Sequence, residues 1–234
     1  MKTSLRQSRE ANVSINPTGD PLPARDRVLE VACHMFAEAG FHGTHFREIC
    51  KRAGTNVAGI CYHFQSKEGL YQAVMMEAGR RLSDRNEDFL ASCAHLLPEQ
   101  RLLKLTELLL QKLSAERLWI AKLLARELMD PACGARTYVA SGLERDFVLL
   151  QSAMRELHGA GVHIETIRLQ TLSLVSECVF YSLAGENLQH PLIQLAAPLP
   201  NRACLARLIT QRSLGSLNDV STRNQSVTLD ANFA

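Results

Sequence analysis

Between Phe41 and Lys67 the chain reads FHGTHFREICKRAGTNVAGICYHFQSK, a stretch rich in groups that hold a polyanion and poor in groups that make or break bonds. Arg47, Lys51 and Arg52 offer cations, Asn56 a short amide, and Val57 and Ala58 small apolar side chains. Cations bond to phosphate oxygens, an amide to phosphate or a base edge, and a small apolar group to a thymine methyl. Catalysis has no comparable nominee: HExxH, paired Glu-xx-His, GxSxG and phosphate-cradling glycine loops are absent from the sequence. The histidines at 42, 45 and 63 lack the tight spacing that zinc ligation needs.

Short helices must position these groups. Phe46, Ile49, Cys50 and Ala53 recur at helical spacing on one face. Gly54 ends that helix, because glycine enters the left-handed region without a Cβ clash. Asn56 suits the N-cap of the next helix, Val57 to His63, since its side-chain oxygen can accept an unbonded backbone N–H. Helix, glycine turn and helix make a helix-turn-helix, whose second helix enters the DNA major groove. Upstream, a helix from Ala24 to Ala39 follows Pro23, stops at Gly40 and carries Val28, Leu29, Val31, Ala32, Met35 and Phe36 as its apolar stripe. With Phe46, Ile49, Ile60 and Phe64 these form a small three-helix core, marginal alone and needing support from the helix that follows. Ser66 caps that fourth helix, and Glu68 complements its dipole. Leu70, Tyr71, Val74, Met75 and Leu82 carry it towards Phe89 and Leu90.

Composition agrees with a helical chain. Hydrophobic residues make up 46% and charged residues 21% of the 234, enough for one larger domain or two smaller ones with buried cores. Aromatics at 6%, with Leu and Ala abundant, favour helices over sheets. A net charge of only +2 excludes a polycation, so any nucleic-acid surface must be local. No apolar run approaches the length of a membrane span and no hydrophobic signal region opens the chain, so residence in the cytoplasm is expected. The seven cysteines, at 33, 50, 61, 93, 133, 178 and 204, form no CxxC pair and read mainly as reduced core thiols.

The segment ARDRVLEVACHMFAEAGFHGTHFREICKRAGTNVAGICYHFQSKEGLYQAVM resembles the DNA-binding domain of TetR/AcrR-family transcriptional regulators. MFAEAGF, REIC, AG at the turn, YHF and SKEGLY follow in the family's order and spacing, which a lone helix-turn-helix pattern would not. NVAGICYHF together with RELMDP further on resembles the subgroup with a CerR-type C-terminal domain. The resemblance implies an all-α protein: a three-helix helix-turn-helix DNA-binding domain at 23–82, then a multi-helix ligand-binding and dimerisation domain at 83–214. A flexible arm at 1–22 and a disordered tail at 215–234 flank them. It places Thr55, Asn56, Val57, Ala58 and Cys61 on or beside the groove-facing side of the recognition helix, with Tyr62 and Lys67 gripping the DNA backbone. Thr44, Arg47, Gly59 and His63 complete the expected contact set. Two positions depart from the family pattern. His45 stands where Thr or Ser usually caps helix 2, so Thr44 is the alternative cap. Gly59 lies inside the recognition helix, where it costs about 1 kcal/mol relative to Ala but permits close approach of a phosphate backbone.

Beyond Leu96 the helical spacing continues over 101–113, 115–129, 136–158, 164–184 and 201–214, punctuated at Pro98, Pro131, the GAG at 159–161 and Gly185. The resemblance implies that the last two long helices pair with their copies in a homodimer, with Leu172, Val175, Val179, Leu183, Leu205, Leu208 and Ile209 as apolar candidates. They fit an intrachain core equally well. A small-molecule effector would sit among Trp119, Leu123, Arg126, Met129, Phe147, Met154, Glu177 and Tyr181. No metal and no cofactor is implied. Expected partners are double-stranded operator DNA, a second copy of the chain and an effector. Two other readings stay open from residues alone: a helical metal- or redox-sensing protein, and a helical adaptor that has lost DNA binding.

Overall fold

The computed structural model describes residues 23–83, 92–93, 95–130, 136–159, 161–186, 190–194 and 199–223. Helices α1 (Ala24–Gly43), α2 (Phe46–Ala53), α3 (Val57–Phe64) and α4 (Lys67–Ser83) come first. Then follow α5 (Pro98–Lys112), a 3-10 turn (Ala115–Arg117), α6 (Leu118–Met129), α7 (Arg136–His158), α8 (Ile164–Glu186), the short α9 (Pro191–Gln194) and α10 (Arg202–Arg223). There is no strand among the described residues. None of these helices is long and apolar enough to cross a membrane.

Sequence and structure part at several ends. Gly40 has φ of 73° and breaks α1 as expected, yet one more helical turn, Phe41–Gly43, follows the break. Pro98 opens α5 instead of preceding it, because its fixed φ suits a first turn and its missing N–H has no helical acceptor there. The expected disordered tail from 215 is corrected: α10 continues to Arg223. Helix α9 had no periodicity long enough to reveal it. The N-terminal arm at 1–22, Phe89, Leu90, Cys133 and residues 224–234 lie outside the described residues.

The helices form a head, α1–α3, seated on a larger bundle, with one continuous core. Phe36 of α1 stands edge-on to Tyr71 of α4 at 4.9 Å between ring centroids, joining the head to the helix below it. Helix α4 in turn packs closely on α7. A Cβ at Gly142 of α7 would come within 2.5 Å of the Gly79 carbonyl oxygen, so the two helices meet through glycine backbones. Deeper in the bundle, Lys112 of α5 donates to both carboxylate oxygens of Asp146 of α7, at 2.9 and 2.8 Å, and both side chains are buried. Burial pushes the Asp146 carboxyl up against the pull of Lys112.

Helix α6 is the bundle's grip on the head. Arg126 donates from Nε to the Ala37 carbonyl at 2.8 Å and from Nη2 to the Glu38 carbonyl, two carbonyls of α1 just ahead of the break at Gly40. Lys122 pairs with Glu38, and the Tyr71 hydroxyl donates to Glu127. At the other end of α6, Arg81 lies 5.3 Å over the Trp119 ring, and Arg117 donates to the Arg81 carbonyl at 2.9 Å. Arg81 also bonds Glu30 of α1 at 2.6 Å and Glu77 at 2.7 Å. His34, 3.6 Å away, and the Arg81 guanidinium hold the Glu30 carboxyl down at about 2.

Candidate nucleic-acid interface

The recognition helix is built by local chemistry. Asn56 takes extended backbone and its Oδ1 accepts from the Gly59 N–H at 2.8 Å, the N-cap bond expected from its type. Gly54 sits left-handed at φ of 64° and closes α2. Arg27 of α1 donates to the Ala53 carbonyl at 3.2 Å, bracing the same turn. Beneath α3, Ile60 and Phe64 are buried against α1 and α2, which fixes the opposite face outward. The far end of the helix turns at Gln65, a non-glycine residue at φ of 66° that no sequence signal marked. Helix α4 starts immediately afterwards with Ser66 accepting from the Gly69 N–H at 3.1 Å. A Cβ at Gly69 would lie 2.2 Å from the Phe64 carbonyl oxygen, so glycine lets α4 begin against the end of α3.

Most of the expected contact residues share one exposed surface. Asn56, Val57, Ala58, Cys61, Tyr62 and His63 are exposed on α3, Tyr62 at 83%, and Thr55 and Gly59 are half-buried beside them. Lys67 stands at the same end with its ammonium 4.7 Å over the Phe41 ring. Arg47 and Lys51 are exposed on α2, whereas Arg52 donates to Glu48 at 3.0 Å and is partly neutralised by it. The result is a local band of donors on a nearly neutral molecule.

Thr44 is corrected. It is fully buried, and its hydroxyl donates to the Gly40 carbonyl at 2.7 Å and lies 3.2 Å from the Met35 carbonyl, so it closes α1 and presents nothing to DNA. It does not cap α2 either; His45 holds that position without a side-chain bond. Gly59 has a second reason for its size: a Cβ there would meet Thr55 Oγ1 at 2.9 Å and Asn56 Oδ1 at 3.4 Å, crowding the cap.

The residues grouped as an effector pocket do not line one cavity. Trp119, Leu123 and Met154 are buried in the continuous core, Arg126 clamps α1, and Met129 is 78% exposed. Phe147 packs at the core's edge, and Glu177 pairs with Arg212 at 3.3 Å in a groove between α8 and α10. Of these residues, Tyr181 borders a second, smaller pocket, open to the surface and formed by α5, α8 and the start of α10. The dimer candidates divide likewise. Leu172 and Leu208 are exposed, Val179 and Leu183 are half-buried, and Val175, Leu205 and Ile209 are corrected to intrachain core. Leu169 and Phe180, exposed on the same side of α8 as Leu172, were missed because the helix carries apolar residues almost all round. Among the described residues no group of three or more His, Cys, Asp or Glu could hold a metal. Burial pushes the Cys33 thiol well up and the Cys178 thiol to about 12, as inert core thiols require.

With this geometry in place, comparison with known proteins is decisive. Residues 28–74 match the model for bacterial regulatory proteins of the tetR family, and residues 98–218 match the C-terminal domain of the HTH-type transcriptional dual regulator CecR. This chain is a TetR-family transcriptional regulator. CecR-type is the name its C-terminal domain takes in place of the CerR-type label read from sequence. The probable HTH-type transcriptional regulator YttP of Bacillus subtilis is 35% identical over 81 residues, 35% of this chain and 39% of YttP. The chain thus matches about two fifths of that relative's length. Among solved structures, the hemolysin II transcriptional regulator HlyIIR superposes with TM-score 0.60 at 21% identity, covering 82% of this chain and 96% of HlyIIR. FadR of Bacillus subtilis, solved in complex with stearoyl-CoA, superposes with TM-score 0.59 at 15% identity, covering 81% and 97%. At these identities the two structures share the fold.

Proposed function

We propose that this TetR-family regulator is a cytoplasmic homodimeric repressor, released from a near-palindromic operator when a small molecule binds its C-terminal domain. The observation that carries the DNA-reading half is the outward face of α3, where Tyr62, at 83% exposure, stands beside Cys61, Ala58, Val57 and the capped Asn56. In this reading Val57, Ala58 and Cys61 meet base edges, while Asn56, Tyr62, His63 and Lys67 hold phosphates on one side and Arg47 on the other. Thr55 and Gly59 keep the helix N-terminus close to the backbone. Exposed Leu169, Leu172, Phe180 and Leu208 support the dimer, because they form an apolar surface on α8 and α10 that no described residue covers.

Effector control follows from how the head is held. Through Arg126, Lys122 and Glu127, and through Arg117 of the 3-10 turn that leads into it, helix α6 contacts α1 and α4 at both of its ends. A ligand that favours one position of α6 over another therefore tilts the head, and two tilted heads no longer match the half-site spacing. That FadR carries stearoyl-CoA supports a small-molecule role for this fold. Selecting bound duplexes from a random DNA pool tests the reading: an inverted repeat with fixed spacing is expected. Weak, sequence-independent binding at physiological salt would refute it and favour an adaptor.

A further inference from the structure

The cavity at the junction of α5, α8 and α10 has a volume of about 220 Å³. Leu110 and Leu113 of α5 and Leu205 of α10 give it apolar walls, with Leu199 and Pro200 at its rim. Polar groups, Tyr181 among them, make up nearly as much of its lining as apolar ones. Ser114 and Ser182 bring hydroxyls, and among the described residues Arg202 brings the only charge and no carboxylate lines it. Among the described residues Arg202 has no ion-pair or hydrogen-bond partner for its side chain. It is also the first residue of α10, so the helix dipole adds positive potential at the same place.

From this arrangement we propose that the cavity binds a small amphiphilic monoanion, an apolar body about the size of a phenyl ring bearing one carboxylate, with Arg202 as its counter-ion. This rests on the ligand-responsive reading above and gives its ligand a place and a chemistry. Size bounds the body: a closed apolar cavity of about 150 Å³ accommodates benzene, so an open pocket of about 220 Å³ admits a body of that size with its carboxylate on the polar side. Charge sets the head group, since a guanidinium presents a planar fork that fits a carboxylate with two parallel bonds. The larger groove between α8 and α10, about 510 Å³, does not compete for an anion, because its cation, Arg212, is already paired with Glu177. That pair nevertheless connects the cavity to the outside. Tyr181 forms part of the cavity wall, and Arg212 lies 3.5 Å from its hydroxyl while pairing with Glu177 at 3.3 Å. A ligand pressing on Tyr181 thus moves a contact that spans α8 and α10, the two helices of the proposed dimer surface.

Calorimetric titration of the full chain, without DNA, tests the site with benzoate and its neutral isostere benzamide. One benzoate per chain is expected, with benzamide weaker by about tenfold or more. Arg202→Gln should weaken benzoate by a similar factor and abolish the preference over benzamide, at an unchanged thermal midpoint. Ser182→Leu, which fills the cavity and leaves the cation in place, should abolish binding of both. No heat at millimolar benzoate, equal affinity for the two compounds, or benzoate affinity indifferent to Arg202→Gln would each overturn the proposal. A separate operator titration at saturating benzoate distinguishes the two levels. Binding in the cavity that leaves operator affinity unchanged upholds the site and refutes its regulatory use.

Discussion

Tyr62 and Lys67 reach DNA by different means, and their substitution separates the two. The Tyr62 hydroxyl is exposed and available to a phosphate oxygen, so Tyr62→Phe should weaken operator binding by about tenfold for each bound copy, the worth of one bond to a charged acceptor, and equally for all operator variants. Lys67→Ala removes a cation from each copy, so its signature is ionic: the slope of log affinity against log salt should fall in magnitude by about 0.9 per copy, about 1.8 for the dimer on its operator. Fluorescence anisotropy over a salt series reads both, and unchanged affinity in both variants would remove the phosphate-gripping role. Glu30 makes a pH prediction. Its carboxyl is held at about 2, below its unfolded value, so its contribution to stability is present above the usual carboxylate range and is lost as pH falls towards 2. Denaturant midpoints at pH 5 and pH 3 should differ less in Glu30→Gln than in the parent; an equal difference would show that Glu30 is not the group responsible.

At the scale of elements, the crossing of α4 and α7 and the tie between α5 and α7 decide how firmly the head is supported. Gly142→Ala places a Cβ against the Gly79 backbone, which cannot rotate away, so a loss of about 1–3 kcal/mol is expected from urea unfolding despite the better helix propensity of alanine. Replacing Lys112 alone with Met leaves the Asp146 charge buried and should cost about 3–5 kcal/mol. The double variant Lys112→Met, Asp146→Leu should recover most of that loss; failure to recover would mean that the pair is net stabilising. Neither feature was legible in the sequence, for a physical reason. The head's motifs are local, with Gly54, Asn56 and Ser66 acting within a few residues, so type and spacing reveal them. Gly142 against Gly79 and Lys112 against Asp146 are meetings of distant residues, and composition carries no trace of which helices cross. Thr44 failed similarly: a polar residue at a helix junction reads as a cap, and only the break at Gly40 shows that its hydroxyl turns inward.

For the whole molecule, the test is assembly. Leu172→Asp or Phe180→Asp on the exposed face of α8 should convert a dimer to monomer in sedimentation velocity while leaving the helical circular dichroism intact. Operator affinity should fall in parallel, because one head engages one half-site. A variant that stays dimeric and binds normally would move the interface elsewhere. Here too the sequence was half informative. It located the two helices, but Leu172 and Leu208 could be told from Val175, Leu205 and Ile209 only once the helices' rotation about their axes was known.

The way α6 holds the head also bears on building chimeric regulators. A head cut at Ser83 and grafted onto a foreign sensor would lose Arg126 from the carbonyls of Ala37 and Glu38, Arg117 from that of Arg81, and Glu127 from Tyr71. The Arg126 bonds brace the break in α1 on which α2 and α3 hang, and the other two hold α4. The transplantable unit is therefore discontinuous in function if not in chain: a donor segment must run through Met129, or the recipient must supply its own arginine where Arg126 stands.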